Sequence, residues 1–498
     1  MLFEGWARMG YIQVTIPLGL RRNNHGARLM KVETLLNLAT TVFRQKLREN
    51  CPESSLPDLT PAAFNHLVQA FKVAFSACGT EALKAYVESC DEKADALPSP
   101  GGAVRFKMVC KKEFLTPFGW VGVNRRLYQS DAGGVSFVPI DEKWDMRNES
   151  LTPLVREVLH FASGHDTPGE VEILLEKCAL FTPSRTAILH ANESFGAFWR
   201  VHGEKIVAKV REQEPVPSVT KAMVVSLDGV NVLMHEAGNK RGRKNRKPMD
   251  NPSNETPTSY QNAMVGSVSL HRSPENDEKG PQRLSSRYIA QMPEDGFAEF
   301  RIRFEAEVAA TVKKLPRRCH KILLIDGSRA LWNYVGGNPQ YRRYLKVVDY
   351  FHATEYLAKA AEAAYGSATY DSQGWFRKWK ERLLTERGAA ERVLRAMGYL
   401  LKTSKLKGER RKDLLAARRF FRNNVHRMKY SWFHDRGLPV GSGVVEAACK
   451  SVVKARMCRS GMRWTEGGGQ TILSLRSLIK SDRWQECWDE CQALRLAA

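Results

Sequence analysis

The spacing of apolar residues changes several times along the chain, and each change predicts a different element. Apolar positions three or four residues apart predict helices over residues 30–48 and from residue 60 to about residue 90. The polar, Pro- and Gly-rich segment 91–102 predicts a linker. Residues 104–129 then alternate between polar and apolar side chains about Thr116-Pro117-Phe118-Gly119, which predicts a β-hairpin.

Helical spacing returns between residues 151 and 212, where Thr-Pro pairs beginning at 152, 167 and 182 mark helix starts. Short helices joined by tight turns are typical of a helix-turn-helix, whose second helix reads DNA. In that interpretation the reading helix carries Ser184, Arg185, Thr186, His190 and Asn192. A plain helical scaffold has the same spacing, so both interpretations stay open.

Apolar runs farther along the chain carry aspartates. The strand predicted over 221–234 holds Asp228 beside a glycine, and the strand predicted over 321–328 ends in Asp326-Gly327. A strand predicted over 344–352 holds Asp349 near its end. A buried carboxylate is costly unless it is paired or metal-bound, and strand ends are where α/β sheets place reactive groups. Each aspartate alone could instead cap the helix that follows.

The remaining segments are predicted to be mainly helical. Short strands over 263–270 and 288–292 precede a helix over 298–315, and the basic block 353–437 is helical throughout, placed as an insertion would be. A last helical segment ends in a tail over 486–498.

A Pro- and Gly-rich loop at 437–443 precedes a further predicted helix. Its apolar face would carry Val445, Ala448, Val452 and Ala455. A different, charged face would carry Glu446, Lys450 and Lys454, which lie four residues apart. The loop lacks both GxGxxG and GKS/T, which disfavours a dinucleotide or P-loop site.

The charge balance favours a polyanionic partner. The 498 residues include 77 Lys and Arg against 54 Asp and Glu, a formal net charge of +23, and nucleic acid is the commonest partner of so basic a chain. A basic protein with no such partner is the alternative. The run KRGRKNRK could follow a phosphate backbone, and its basic residues are Lys240, Arg241, Arg243, Lys244, Arg246 and Lys247.

The cysteines and the N-terminal segment indicate the compartment. Ten cysteines are scattered without a CxxC pair, and the first residues include Glu4 but no long apolar run. We therefore expect reduced thiols, no zinc, no signal peptide, no membrane span and a cytoplasmic location.

Asp228, Asp326 and Glu446 together suit phosphoryl transfer with two metal ions. Three carboxylates can hold two divalent cations, one activating an attacking hydroxyl and one stabilising the leaving oxygen. Oxygen ligands select Mg²⁺ or Mn²⁺. The spacing of these acids along the chain is loose, so spacing alone is a weak signal.

Four segments resemble the DDE transposases of bacterial insertion sequences, most closely the ISKra type: VVSLDGV, LLIDGSRALWNY, VVDYFHATEYL and GSGVVEAACKSVVKARMCRSGMRWTEGGGQTILSLRS. The resemblance covers about residues 150–485, in the family's order. It implies a ribonuclease-H-like α/β catalytic domain with an all-helical insertion, as in the mutator-like superfamily, and cutting and joining of DNA at transposon ends. Asp228, Asp326 and Glu446 match the catalytic, metal-binding acids. Asp349 and His352 match the (C/D)xxH element that supports the site.

With this resemblance the chain is expected to be a multidomain α+β protein. An N-terminal helical region and linker would cover 1–102, and a β-hairpin with a helix-turn-helix-like DNA-binding region would cover 103–212. The catalytic domain would comprise 213–352 and 438–485, interrupted by the insertion 353–437 and followed by the tail 486–498.

The resemblance also implies cofactors and partners. Two Mg²⁺ or Mn²⁺ ions, double-stranded DNA (terminal repeats and target) and a homodimer or larger assembly are expected, in a prokaryotic, nucleoid-associated protein with no membrane partner. Relatives often carry a cysteine pair after the hairpin, where this chain has residues 128–134, so no zinc is expected there.

Alternatives remain for the site and for the function. Asp326 is favoured over Asp349 as the second metal ligand because it ends the strand before the (C/D)xxH strand. Phosphate contacts are expected beside the metals, with plain surface charge as the alternative, from Lys450, Lys454, Arg456, Arg459 and Arg463. A metal-dependent nuclease without strand transfer and a catalytically silent, sequence-specific DNA-binding protein are the competing functions.

Overall fold

The computed structural model describes residues 30–51, 60–91, 93–99, 102–130, 136–147, 149–179, 181–235, 260–275, 280–294 and 297–497. The chain divides into two compact units, Met1–Pro153 and Leu154–Ala498. This division falls inside the region 103–212 that the sequence suggested as one DNA-binding region. The architecture is a mixture of helices and sheets, as expected.

The first unit combines two long helices with an antiparallel sheet. Its elements are α1 (Val32–Asn50), α2 (Pro61–Ser89), β1 (Ala96–Ser99), β2 (Gly102–Thr116), β3 (Gly119–Gln129), β4 (Ser136–Phe137) and α3 (Pro139–Lys143), with strand order β1-β2-β3-β4. Thr60 caps α2 by accepting the Ala63 N–H at 3.2 Å. The predicted hairpin is confirmed as β2 and β3, and Gly119 turns it at φ +117°.

The predicted linker 91–102 is corrected by this sheet. Its residues from Ala96 to Ser99 form β1, which pairs with the start of β2 from Ala96↔Arg105 to Ser99↔Gly102. Polar and Pro-rich composition concealed this strand because it lies at the edge of the sheet, where proline is tolerated.

The second unit begins with helices α4 (Pro153–His165), α5 (Pro168–Cys178) and α6 (Arg185–Gln213). It continues with β5 (Ala222–Leu233), β6 (Tyr260–Arg272), β7 (Gln282–Gln291), α7 (Ala298–Lys314), β8 (His320–Ile325), α8 (Arg329–Gly337) and β9 (Leu345–Val348). The helical block predicted over 353–437 follows as α9 (Tyr350–Tyr365), α10 (Tyr370–Thr385), α11 (Ala389–Thr403), α12 (Gly408–Asn424) and α13 (Tyr430–His434).

The chain then forms a compound helix and two longer helices. The compound helix is α14 (Gly443–Ala448), a π-helical segment (Cys449–Lys454) and α15 (Ala455–Met457). The longer helices are α16 (Glu466–Lys480) and α17 (Trp484–Ala497).

The sheet of the second unit has strand order β7-β6-β5-β8-β9. β5 pairs antiparallel with β6 and parallel with β8, and β8 pairs parallel with β9. Its central strands are apolar on both faces because helices cover both, so β5 and β8 form near-continuous buried runs. The insertion helices α9–α13 share one apolar core with this sheet.

One predicted strand end is corrected, and the last segment is helical as predicted. The strand predicted over 344–352 stops at Val348, because Asp349 caps α9 and Tyr350 is already helical. The predicted tail 486–498 belongs to α17, whose Cys487, Trp488 and Cys491 are buried against α6. The alternation of small, charged and aromatic residues in this segment hid its apolar side.

The three helices suggested as a helix-turn-helix exist, but α6 is a structural element of the second unit. It is 29 residues long and packs Phe195, Ile206 and Val210 against α16 and α17. Asn192 is buried, where it donates to Ser163 Oγ at 3.0 Å. Asn192 is therefore a core residue, whereas the other predicted reading residues, Ser184, Arg185, Thr186 and His190, are exposed. Over the described residues, no helix is long and apolar enough to span a bilayer.

Candidate active site

Asp228 lies on the central strand β5, opposite Val265 of β6. Its Oδ1 accepts the N–H of Gly229 at 2.7 Å, and its Oδ2 accepts the thiol hydrogen of Cys449 at 3.2 Å. The carboxylate is thus oriented by its own backbone and by the π-helical segment. The second contact links residues 221 positions apart in sequence.

Asp326 directly follows β8. This strand pairs parallel with β5, the strand that carries Asp228. The Oδ1 atom of Asp326 accepts the Ser328 N–H at 2.9 Å, and its carbonyl accepts the indole N–H of Trp332 at 2.7 Å. Burial raises the pKa of Asp326 above its ordinary value; the Ser328 hydrogen bond opposes this, while the negative charges of Asp228 and Asp349 add to it. The two candidate acids are therefore close enough to repel each other.

The glycine after Asp326 makes room for the insertion. A Cβ on Gly327 would lie 2.4 Å from the ring of Phe420 on α12. Phe420 in turn stacks on Tyr356 of α9 at 4.0 Å between ring centroids. The chain thus passes close to Phe420 of α12 immediately after Asp326, and a residue larger than glycine at position 327 would collide with that ring.

Asp349 is fully buried and serves as a backbone acceptor. Its Oδ1 accepts the His352 N–H at 2.6 Å, which caps α9, and its Oδ2 accepts the N–H of Ser442. Backbone donors therefore engage both oxygens of Asp349, and the choice of Asp326 as second metal ligand stays a prediction. This geometry realises the helix-cap alternative for Asp349.

His352 lies in the first turn of α9, near the acids. Its ring is 5.8 Å from Tyr356 and 6.1 Å from Phe420 between centroids, and its Nδ1 is 3.5 Å from a carboxylate oxygen of Glu355. The charge of His352 acts to lower the pKa of Asp326. His352 therefore interacts electrostatically with Asp326.

Glu446 lies in the first turn of α14, and its Oε1 accepts the hydroxyl hydrogen of Ser442 at 3.1 Å. Cys449, one turn later, contacts Asp228 as described above. Burial raises the pKa of the Cys449 thiol, and the charges of Asp228 and Glu446 raise it further. The charges of Asp228 and Glu446 therefore both act on Cys449, which also hydrogen-bonds to Asp228.

The π-helical segment corrects the predicted faces of this helix. Val445, Ala448 and Val452 are buried as expected, but Ala455 is exposed and Arg456 is buried in its place. A π turn takes up an extra residue, so every later side chain rotates away from its α-helical position. Arg476, buried on α16, donates to the carbonyls of Ser451 and Val452 within this segment.

The predicted phosphate contacts separate into two groups. Lys450, Lys454 and Arg463 are exposed, as a DNA contact requires. Arg456 is only 4% exposed and donates to the Asp166 carbonyl at 3.1 Å, so its expected role is corrected to packing. Arg459 is half-buried and is held by acids of the α4–α5 turn region: its Nη1 lies 2.8 Å from Glu170.

The predicted basic run, from Lys240 to Lys247, lies outside the described residues, and so does most of the 128–134 segment. The sequence interpretation missed three residues that contact Asp228, Glu446 or the π-helical segment: Cys449, Ser442 and Arg476. A neutral cysteine or serine carries no distinctive sequence signal, and a buried arginine looks like a surface one.

The donor chemistry at this site suits a hard divalent cation, because carboxylate oxygens dominate it. Asp228 and Asp326 also carry mutual repulsion that a cation would relieve. Among the described residues, however, no group of three His, Cys, Asp or Glu side chains is gathered tightly enough to hold a metal. Asp326 interacts electrostatically with Asp228, but Asp228, Asp326 and Glu446 do not form such a group.

Comparison with known proteins adds little. No family model matches the chain, and no curated protein matches its sequence. The Drosophila P element transposase strand transfer complex is similar at 9% identity, over 70% of this chain and 96% of that one, with a TM-score of 0.35. NurA with manganese is similar at 14% identity over 59% and 62%, with a TM-score of 0.10. At these scores neither likeness carries an argument.

Proposed function

We propose that the protein is a DDE-type DNA transposase with a ribonuclease-H-like catalytic domain. The observation that carries the proposal is the placement of the acids in the sheet. Asp228 lies on the central strand, Asp326 follows the adjacent parallel strand, and Glu446 lies on a helix that returns after an all-helical insertion. The Cys449–Asp228 hydrogen bond joins the last of these elements to the first.

In this proposal Asp228, Asp326 and Glu446 would hold divalent cations, Mg²⁺ or Mn²⁺, which would supply activation of the attacking hydroxyl and stabilisation of the leaving oxygen. Hydrolysis at the element ends frees a 3′-hydroxyl, which then attacks target DNA. The chain's own contribution is to hold the acids rigidly, through Gly229 and Ser328 N–H groups at the strand acids. Such fixed, partly buried charge needs no reorganisation during the reaction.

We assign the exposed basic residues that follow Glu446 to contacts with the DNA backbone. Lys450 and Lys454 follow Glu446 on the same compound helix, and Arg463 lies shortly after it. Contacts of this kind position a duplex without reading its sequence. A homodimer or larger assembly on paired ends completes the proposal.

The experiment is cleavage of a supercoiled plasmid that carries the native element ends, in Mg²⁺. Asp228→Asn, Asp326→Asn and Glu446→Gln are expected to abolish cleavage, and Asp349→Asn is expected to impair it. Glu362→Gln, an exposed acid on α9, is the matched control and should cleave like wild type. Activity in Asp326→Asn with none in Asp349→Asn would overturn the assignment of the second ligand.

Two further arms separate the competing functions. Pre-cut ends offered with a target plasmid test strand transfer, and a protein that cuts but never joins is a nuclease. Binding of the ends measured with Asp228→Asn tests the third function. Wild type that binds the ends but never cuts, in Mg²⁺ or Mn²⁺, would refute the transposase proposal.

A further inference from the structure

The insertion helices α11 and α12, with the loop between them, carry a concentration of positive charge that the candidate active site does not use. Residues 389–424 contain eleven Lys and Arg against three Asp and Glu, a net charge of +8 within the chain's +23. An excess of this size in one small region attracts a polyanion.

Most of these positive charges have no partner within the protein. Arg392 pairs with Glu386, Lys412 pairs with Glu409, and Arg410 donates to two carbonyls of α9. Over the part of the chain that the structure describes, no ion pair involves the other eight, of which seven are exposed and Arg418 is half-buried: Arg395, Lys402, Lys405, Lys407, Arg411, Arg418, Arg419 and Arg422. Surface charge that the protein leaves unpaired is available to an outside partner.

On α11 the exposed face combines positive charge with an aromatic hydroxyl. Arg395, Tyr399 and Lys402 lie four and three residues apart, so they share one face of the helix. All three are exposed, Tyr399 by 67%. Arginine, lysine and tyrosine side chains all bind phosphate oxygens in protein–DNA complexes. Core packing does not account for so exposed an aromatic ring, whereas a phosphate contact would give its hydroxyl a partner.

On α12 a second basic stripe adjoins the first. Arg411, Arg418 and Arg422 lie seven and four residues apart, so they share one face of α12. A Cβ on Gly398 of α11 would lie 3.5 Å from Arg418 Nε, an atom that is buried without a hydrogen-bond partner among the described residues. From Arg411 to Arg422 the stripe is about 17 Å long, which matches about five base pairs of a duplex. The two helices therefore present one basic face that is joined at Arg418.

We propose that these two stripes, together called the α11–α12 face, bind the phosphate backbone of double-stranded DNA, an inference that rests on the proposed function for the identity of the polyanion. The position of α12 supports it. Phe420 of α12 packs against Gly327, directly after Asp326, and both helices share the core of β8. Arg411 lies about 14 Å from Phe420 along the helix axis. A duplex bound along α12 would therefore extend away from the neighbourhood of Asp326.

The test removes three exposed charges from this face in the full chain, as the triple variant Arg395→Gln, Lys402→Gln and Arg411→Gln. Glutamine forms helices about as well as arginine and lysine, so the helices should persist. Binding of a short DNA duplex is measured by fluorescence anisotropy over a range of NaCl concentrations. The slope of log Kd against log[NaCl] should fall by about 1 for each lost contact, about 3 in all, and Kd at about 0.1 M NaCl should rise about 10-fold or more. End and unrelated duplexes should weaken equally, because backbone contacts do not read sequence.

The matched control is the triple variant Lys313→Gln, Arg317→Gln and Arg318→Gln, which lowers the net charge by the same amount. These residues are exposed and form no ion pair among the described residues. They precede β8, whereas Asp326 follows it, so the length of the strand, about 20 Å, separates them from that acid. The control should keep the wild-type Kd and salt slope. Equal midpoints in urea unfolding show that both triple variants are folded.

The outcomes distinguish this inference from the function beneath it. If the test variant binds the duplex like wild type, or if both triple variants lose the same affinity, the inference is wrong, and end cleavage by wild type would leave the proposed function intact. Wild type that binds no duplex would overturn both. A loss confined to single-stranded DNA or to RNA of the same length would overturn the assignment to a duplex. The readout is binding, so the test requires neither a metal ion nor cleavage.

Discussion

Glu307 holds the second unit together through a buried ionic cluster, and Glu307→Gln should unfold it readily. Glu307 lies on α7 with 1% of its surface exposed. It accepts from Arg211 of α6 at 2.9 Å and twice from Arg483, just before α17, at 2.8 Å. Arg483 also donates to Glu214. The cluster therefore joins the last turn of α6, the middle of α7 and the start of α17, which are distant in sequence.

The magnitude follows from what glutamine leaves behind. The amide keeps one acceptor oxygen but removes the charge, so two buried guanidinium groups lose their common partner. Removing one member of a buried ion pair costs about 3–5 kcal/mol, and we expect the lower end because Arg483 keeps Glu214. Glu204→Gln is the matched control: Glu204 is 45% exposed and 3.4 Å from Arg211, so it should cost less than about 1 kcal/mol.

The assay is urea unfolding followed by tryptophan fluorescence, since Trp484 and Trp488 lie beside this cluster in sequence. Burial alone would raise the pKa of Glu307, but Arg483 and Arg211 outweigh it and hold the pKa below its ordinary value. The cluster's stabilisation is therefore present above the unfolded pKa near 4.5 and is lost as pH falls through the lower folded pKa. Glu307→Gln within 1 kcal/mol of wild type at pH 7 would refute this reasoning.

Two shorter predictions concern the same unit. Gly327→Ala should lower the free energy of unfolding by about 1–3 kcal/mol and reduce end cleavage, because its methyl group would collide with Phe420. Gly336→Ala is the control, since the space around Gly336 is open. Equal stability of the two variants would contradict the prediction. Burial lowers the pKa of His271 to about 4, so wild type should lose stability as pH falls from about 6.5 towards 4, since only the unfolded imidazole takes up a proton there. His271→Gln should flatten that decline in urea unfolding measured across the pH range, and an unchanged slope would count against it.

Periodicity was enough to predict elements whose side chains face one environment along their whole length. The hairpin about Gly119, the strand with Asp228 and the helix over 298–315 lie where the sequence put them. Strand order is different, because it depends on which distant strands share a sheet. Nothing in the local pattern of β5 reveals that it pairs with both β6 and β8.

The errors arose where one local feature outweighed the pattern. Tyr350 and Phe351 extend an apolar run that suits a strand, but the cap made by Asp349 starts a helix there instead. The π-helical segment rotates later residues by one position, which exposes Ala455 and buries Arg456. Burial of an arginine depends on partners from another helix, here the Asp166 carbonyl, and sequence spacing does not reveal such partners.

The acids of the site share a feature that connects the fold to the proposed chemistry. Asp228 and Asp326 are held by backbone N–H groups and Glu446 by a serine hydroxyl, whereas over the described residues no lysine or arginine forms an ion pair with any of them. This contrasts with Glu307, whose charge is matched within the protein. Hydrogen bonds to the three carboxylates leave their negative charge without a basic partner; burial is the main cause of the raised pKa of Asp326, and the charges of Asp228 and Asp349 add to it. A structural acid would gain stability from a basic partner; in the proposed function a divalent cation would take that place.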